Sequence, residues 1–384
     1  MKQILAGRHF ETGAFVEVSW ENGVIEAVQE NDSAAADDLP WVAPGLLDLQ
    51  INGHGGTWFN QQGLTVDEVI NAVEPHFAFG VTRMLPTLVT NSREALFDGF
   101  AAIRNACERL EWVDRMVAGC HLEGPYISPE DGPRGAHPLE HVRAPDWDEF
   151  VELQAASGDR IRLLTLAPEW SGAIPFIEKA TESGVTVAIG HTAALGEDIR
   201  RAVDAGARLS THLGNGAHGT LRRHPNYLWD QLAEDRLMAS IISDGHHLPD
   251  SVIRTIVRTK SVARTIITCD AAGLAGCPPG RYTEDGMDVE ILEDGRIVIA
   301  GQEQLLAGSS LSTDSCIGIA VRAAGIELAD AWKMASLNPA RLLGLELPLL
   351  ESGHRADLVL FDFDADSRVV VRKTIAEGEC RFAT

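Results

Sequence analysis

The chain has 384 residues, 45% of them apolar and 23% charged, the proportions of a soluble globular protein with one large domain and an accessory unit or with two domains. Its formal charge of −24, from 56 acidic and 32 basic residues, argues against nucleic acid or an anionic membrane as the main partner. A small anionic ligand is not excluded, because local Arg and His side chains outweigh a distant negative surface once salt screens it.

The N-terminus, Met1-Lys-Gln-Ile-Leu-Ala-Gly-Arg8, has charge but no apolar core behind it, and so reads as no signal peptide. No apolar stretch approaches the roughly 20 residues that span a bilayer. Six scattered cysteines (Cys107, Cys120, Cys269, Cys277, Cys316, Cys380) form no CxxC pair, which suits a reducing cytoplasm. Up to about residue 42 the pattern is short β segments. Asn22-Gly23 between Phe15–Trp20 and Val24–Val28 predicts a hairpin, and the polar stretch 30–38 predicts a loop.

From Pro44 onward the rhythm changes. Apolar runs at 45–52, 81–88, 116–123, 160–167, 184–191, 206–213, 237–244 and 264–270 alternate with amphipathic stretches such as 65–73 and 92–103. This is strand–helix alternation, hence parallel βαβ units. Eight such units predict an α/β fold of the (β/α)8 barrel type, and the lack of a GxGxxG turn after the first strand lowers a dinucleotide-binding reading. Residues 329–343 predict a helix interrupted near Pro339. Residues 356–361 and 368–372 return to β character, so strands from both chain ends can pair into one accessory sheet.

Four polar residues, Glu123, His191, His212 and Asp270, each end one of the apolar runs, where a barrel would gather them at a single mouth. Each has a bland explanation. Glu123, before Gly-Pro, can simply cap a loop, and Asp270 can cap a turn. A histidine ending an apolar strand can be a hydrogen-bonded core residue, as expected for His121, one layer deeper than Glu123. Together they offer a His2Glu set, the makeup of a catalytic zinc site with an open position, and a carboxylate to carry a proton from water to a leaving group. Bases on later loops, in Leu221-Arg-Arg-His-Pro225 and Ser243-Asp-Gly-His-His247, can meet phosphate or stand solvated.

The assembled stretches Ala43–Gly53, His121–Pro125, Gly135–His137, Gly190–Thr192, Thr211–Leu213, Ser243–Gly245, Asp270-Ala271 and Leu306–Ser310 resemble, in order and spacing, the N-acetylglucosamine-6-phosphate deacetylase family of the amidohydrolase superfamily. The resemblance implies a TIM barrel over 44–345 and a small β-sandwich domain from 1–43 and 346–384. It implies Glu123, His191 and His212 as ligands of one divalent metal, Zn2+ first, with Fe2+, Mn2+ or Co2+ as substitutes. Asp270 would act as general base and then acid, and His137 would polarise the scissile carbonyl or contact the sugar. Asn215 and Gly216 would hold substrate, and Arg223 with His247 would meet a 6-phosphate. It further implies a homodimer in which Arg223 serves the neighbouring site. The expected reaction is hydrolysis of N-acetylglucosamine-6-phosphate to glucosamine-6-phosphate and acetate.

Gln50-Ile-Asn52 stands where many amidohydrolases carry His-x-His for a second metal. Amides are weak neutral ligands, so one metal is expected. The chain departs from the family pattern at Gly214, Gly216, His218, Arg223-His-Pro-Asn226 and His246, all on the substrate side. A different or unphosphorylated N-acyl amino sugar therefore remains an alternative substrate. A cyclic-amide hydrolase of the dihydroorotase or hydantoinase kind is another alternative, although no strand-end lysine is apparent for its usual bridging group.

Overall fold

The computed structural model describes residues 2–31, 39–284 and 287–384. Four strands open the chain: β1 (Gln3–His9), β2 (Phe15–Glu21), β3 (Val24–Asn31) and β4 (Trp41–Pro44). The Asn22-Gly23 hairpin forms, with φ of 50° and 77°, the left-handed pair whose twist matches the flanking strands. β3 runs through Asn31, two residues into the stretch expected as a loop, and 32–38 lie outside the described residues.

Next come β5 (Leu46–Ile51), the small ribbon β6 (Gly53–His54) and β7 (Thr57–Trp58), and β8 (Val81–Val89). The barrel continues through β9 (Cys120–Glu123), β10 (Ile161–Leu166), β11 (Thr186–Ile189), β12 (Leu209–Ser210), β13 (Met238–Ile242) and β14 (Thr265–Thr268). β5 and β8 to β14 lie side by side, in chain order, in one parallel eight-stranded sheet. This is the (β/α)8 barrel the alternation predicts. At the seam, the Asn52 N–H donates to the Ala271 carbonyl at 2.8 Å. Buried Asp48 ties the same seam, accepting from the Cys269 N–H at 2.9 Å, the Thr313 hydroxyl at 2.7 Å and the Thr268 hydroxyl.

Inside the barrel, Leu47, Leu49, Leu85, Leu163, Ala188, Leu209 and Ile266 form an apolar cluster, joined by Ala340 and Leu343 of the segment around helix Leu337–Leu342. Apolar packing fills this layer, so the polar chemistry is confined to the strands' C-terminal ends. Outside, Thr65 caps helix Val66–Val73 with a reciprocal Glu68 contact, and Ser92 Oγ accepts from the Ala95 N–H at 3.1 Å to start helix Arg93–Arg109.

Sequence reasoning had no element between Asp270-Ala271 and Leu306. The structure places an antiparallel sheet there: β15 (Gly280–Glu284), β16 (Met287–Ile291), β17 (Ile297–Ile299) and β18 (Gln302–Leu306). Val289, Ile291, Ile297 and Ile299 pack with Ala272 and Leu274, against Trp58. The available signal was Asp294-Gly295 between alternating apolar runs, with Gly295 at φ 88°. The interrupted helix appears as Leu328–Met334 and Leu337–Leu342. Pro339 sits in the first turn of the second, where its missing N–H costs no helical bond. Finally β19 (Leu358–Phe363), β20 (Val369–Ala376) and β21 (Glu379–Ala383) join the N-terminal strands in one sheet, ordered β21-β20-β19-β4-β1-β2-β3. Val18, Trp20, Ile25, Leu358 and Ile375 form its separate core. Among the described residues no helix is long and apolar enough to cross a membrane.

Candidate active site

Glu123 ends β9, while His191, His212 and Asp270 each follow their strand by two residues. The barrel brings all four to one mouth. Three of them leave the strand in the left-handed region, His191 at φ 49°, His212 at φ 28° and Asp270 at φ 52°. Such backbone is costly for side chains with a Cβ and tends to persist where surrounding structure enforces it.

Glu123 Oε1 lies 2.9 Å from His212 Nε2 and 3.3 Å from His191 Nε2, and the two Nε2 atoms are 3.0 Å apart. All three side chains are buried. His191 Nδ1–H donates to the Pro133 carbonyl at 2.9 Å, which leaves Nε2 as the ring atom that faces the cluster and can ligate a cation. A tetrahedral cation about 2.0–2.2 Å from each donor would set them roughly 3.3–3.6 Å apart, close to the distances found. Glu123, His191 and His212 could therefore hold one divalent cation. Burial would raise the Glu123 carboxyl, but hydrogen bonds from both imidazoles hold it well below the usual carboxylate range. Burial likewise opposes the His212 imidazolium, yet the Glu123 partner raises it above its ordinary value. The pair is already arranged around positive charge.

Asp270 lies beside this cluster. Burial pushes its carboxyl up, with the Glu123 charge adding, to about 7. Its Oδ1 accepts from Gln50 Nε2 at 2.9 Å and Asn52 Nδ2 at 2.7 Å. Gln50 Nε2 also donates to Glu123 Oε2 at 2.9 Å. Sequence reasoning saw Gln50 and Asn52 only as poor metal ligands and missed them as donors. The β5–β8 register shifts between Asp48 and Ile51, an irregularity that re-aims side chains and that no periodicity reveals.

The ring of His191 lies between two loops. A Cβ at Gly135 would come within 3.3 Å of its Cε1, and one at Gly216 within 2.7 Å of its Nδ1. Both glycines have positive φ, 61° and 54°, so the loops carrying His137 and Asn215 close on the ring only as glycines. His137 is buried, its ring centroid 4.3 Å from that of His191 and its Nδ1 2.8 Å from Thr90 Oγ1. Burial, with the neighbouring imidazoles, takes its pKa down to about 3, which keeps it neutral. His121 sits deeper, bonded through Nε2 to Thr165 Oγ1 at 2.7 Å, the core role expected for it.

Above the cluster opens a cavity of about 460 Å3. Its lining includes His137, Asn215, Gly216, His247 and Asp270, and also Val289 and Leu306 of the small antiparallel sheet, which sequence reasoning did not anticipate. His247 Nδ1 meets Asp244 Oδ2 at 2.7 Å, and that oxygen also accepts from Ser309 Oγ at 2.8 Å. Burial would raise Asp244, but the His247 contact holds it well below its usual value. This fixes the His247 ring with Nδ1–H toward Asp244 and Nε2 available. Arg223 is exposed and does not line the cavity of its own chain, and no lysine or arginine is among the lining residues. His246 lines the cavity, whereas His218 bonds Glu130 and Tyr227 behind the loop.

The sequence matches the model of the amidohydrolase family over residues 41–381. It is 33% identical over 345 residues to the N-acetylgalactosamine-6-phosphate deacetylase of Escherichia coli O157:H7, covering 89% of each chain. It is 35% identical over 349 residues to the N-acetylglucosamine-6-phosphate deacetylase of Bos taurus, covering 88% of this chain and 82% of the relative. Among solved structures it is similar to an aspartate-to-alanine mutant of N-acetyl-D-glucosamine-6-phosphate deacetylase from Mycobacterium smegmatis, in complex with N-acetyl-D-glucosamine-6-phosphate. The TM-score is 0.88 and the identity 30% over the whole of both chains.

Proposed function

The chain belongs to the amidohydrolase family, and from that premise we propose a metal-dependent deacetylase that releases acetate from an N-acetyl amino sugar 6-phosphate, N-acetylglucosamine-6-phosphate first. The carrying observation is the Glu123–His191–His212 cluster with Asp270 beside it in one cavity.

In this reading Glu123, His191 and His212 hold one divalent cation, Zn2+ first. When bound, such a cation supplies Lewis acidity, polarising the amide carbonyl and acidifying water. Asp270 accepts a proton from the attacking water as its oxygen bonds to the acetyl carbon. It returns that proton to nitrogen as the C–N bond breaks, leaving acetate and the free amine, since an amide nitrogen leaves poorly as an anion. Neutral His137, with Thr90 donating to Nδ1, offers Nε2–H to the carbonyl oxygen. Asn215 and Gly216 hold the sugar. His247, aimed by Asp244, meets the 6-phosphate together with Arg223 from a second copy, since among the described residues the cavity has no cationic side chain beyond histidine. We further propose a homodimer, a barrel over 44–345 with the terminal strands as a separate domain, and a cytoplasmic setting, supported by six cysteines without a disulfide.

The E. coli relative supports a second reading, N-acetylgalactosamine-6-phosphate. Acetate release from both sugar phosphates and from unphosphorylated N-acetylglucosamine tests these together. We expect a marked preference for a phosphorylated sugar. Equal kcat/KM with and without phosphate would remove His247 and Arg223 from the anion role, and no release from any of the three would sink the deacetylase reading.

A further inference from the structure

Two carboxylates face one site, and a single carboxamide stands between them. Gln50 is buried, and its Nε2 lies 2.9 Å from Glu123 Oε2 and 2.9 Å from Asp270 Oδ1. A carboxamide NH2 carries two hydrogens that diverge in one plane, so both bonds form at once. Asn52, also buried, adds its Nδ2 to the same Asp270 oxygen at 2.7 Å. The orientation of both amides follows from their partners, since only nitrogen donates to a carboxylate.

The consequence is a division of labour among four oxygens. Glu123 Oε1 faces His191 and His212, while Glu123 Oε2 is taken by Gln50. Asp270 Oδ1 is taken by Gln50 and Asn52, which leaves Oδ2 as the oxygen without a donor from either amide. A carboxylate on a short side chain rotates about χ2 with little resistance. Two donors on one oxygen stop that rotation, and they stop it on a rigid base. Gln50 and Asn52 flank Ile51 at the barrel seam, where the Asn52 N–H holds the Ala271 carbonyl at 2.8 Å and Asp48 holds the Cys269 N–H at 2.9 Å.

We propose that Gln50 and Asn52 are positioning residues that pin Asp270 through Oδ1, so that Oδ2 alone carries the proton between water and the leaving nitrogen. Gln50 also keeps the two carboxylates apart by bridging them with N–H groups in place of a second cation. The inference rests on the deacetylase reading above. It goes further in assigning catalytic consequence to two amides whose residue types suggest only the loss of a metal position.

Gln50→Met and Asn52→Leu keep the size of each side chain and remove its donors. Each variant is compared with the wild-type protein for kcat and KM on whichever sugar phosphate the wild type hydrolyses, for cation content per chain, and for melting temperature. Hydrogen bonds to a charged group predict a fall in kcat of about ten- to a hundredfold for each variant. KM should stay within about threefold and cation content at wild-type level, the pattern of an interaction that matters only in the transition state. Gln50→Glu, equal in size but without N–H groups, should not restore kcat. The proposal is overturned if both neutral variants keep kcat within about twofold of wild type, if the loss falls on KM alone, or if cation content falls in step with kcat. Should Gln50→Met not fold, Asn52→Leu decides alone, since it touches Asp270 and not Glu123. An inactive wild-type protein would instead strike the deacetylase reading and leave the hydrogen-bond geometry as it stands.

Discussion

The floor and the roof of the cavity are built on different principles. The floor is Glu123, His191, His212 and Asp270, set by the ends of parallel strands whose other side chains fill the barrel. The roof is loops and a small sheet: Gly135–His137, Asn215–Ala217, His246-His247 and Val289 with Gln304–Gly308. Glu123, His191 and His212 lie within hydrogen-bond reach of one another, and buried Gln50 links Glu123 to Asp270. Roof residues are held from behind, by Asp244 under His247 and by Thr90 under His137. The difference separates reaction from recognition. A barrel can keep its floor and exchange its roof, and of the positions where the chain departs from the family pattern Gly214, Gly216 and His246 line this cavity while His218 and Arg223 do not.

That contrast orders the expected effects. Stripping the cation with a chelator should lower turnover by on the order of a thousandfold or more, with recovery on adding about one equivalent per chain. Recovery only at two equivalents would mean that the floor holds a second ion and that Gln50-Ile-Asn52 is misread. Asp270→Asn should cost about 10²- to 10⁴-fold in kcat while cation content stays at wild type, and robust turnover would remove Asp270 from proton transfer. The same residue sets the pH response. Asp270 works as a base only when ionised, and its carboxyl is raised to about 7 by burial and then by Glu123. A cation on Glu123 offsets the second cause, so kcat/KM should fall as pH drops through a limb at or below that value. A rate that rises toward acid would contradict the assignment.

The roof should respond more gently and more selectively. His247→Ala should lower kcat/KM for a phosphorylated sugar by about ten- to a hundredfold, with little change for the unphosphorylated one. An equal loss on both would place His247 at the reacting centre instead of the anion.

The same division governs what could be read from the sequence. Each floor residue ends an apolar run, so strand period and residue type suffice to single out Glu123, His191, His212 and Asp270 before any coordinates. The barrel follows from the same eight runs, though β12 shrinks to Leu209-Ser210 within the run at 206–213. The donors on Asp270 were illegible because they depend on the register shift between Asp48 and Ile51. Thr90 under His137 and Ser309 under Asp244 come from distant parts of the chain, and pairing across such separations leaves no local trace. The four-stranded sheet offered only the Asp294-Gly295 turn, in a region where the strand–helix alternation had already ended.

One consequence follows from the backbone of the floor. His191, His212 and Asp270 all turn inward through left-handed φ angles, each costing roughly 1 kcal/mol or more for a residue with a Cβ. Asp270→Gly should therefore melt above Asp270→Ala, although both lack the carboxylate and glycine loosens the unfolded chain; the reverse order of melting temperatures would show the turn to be unstrained. Selection for heat resistance alone would wear away this mouth before it touched the apolar barrel beneath, so hardening the protein without silencing it means searching among the outer helices.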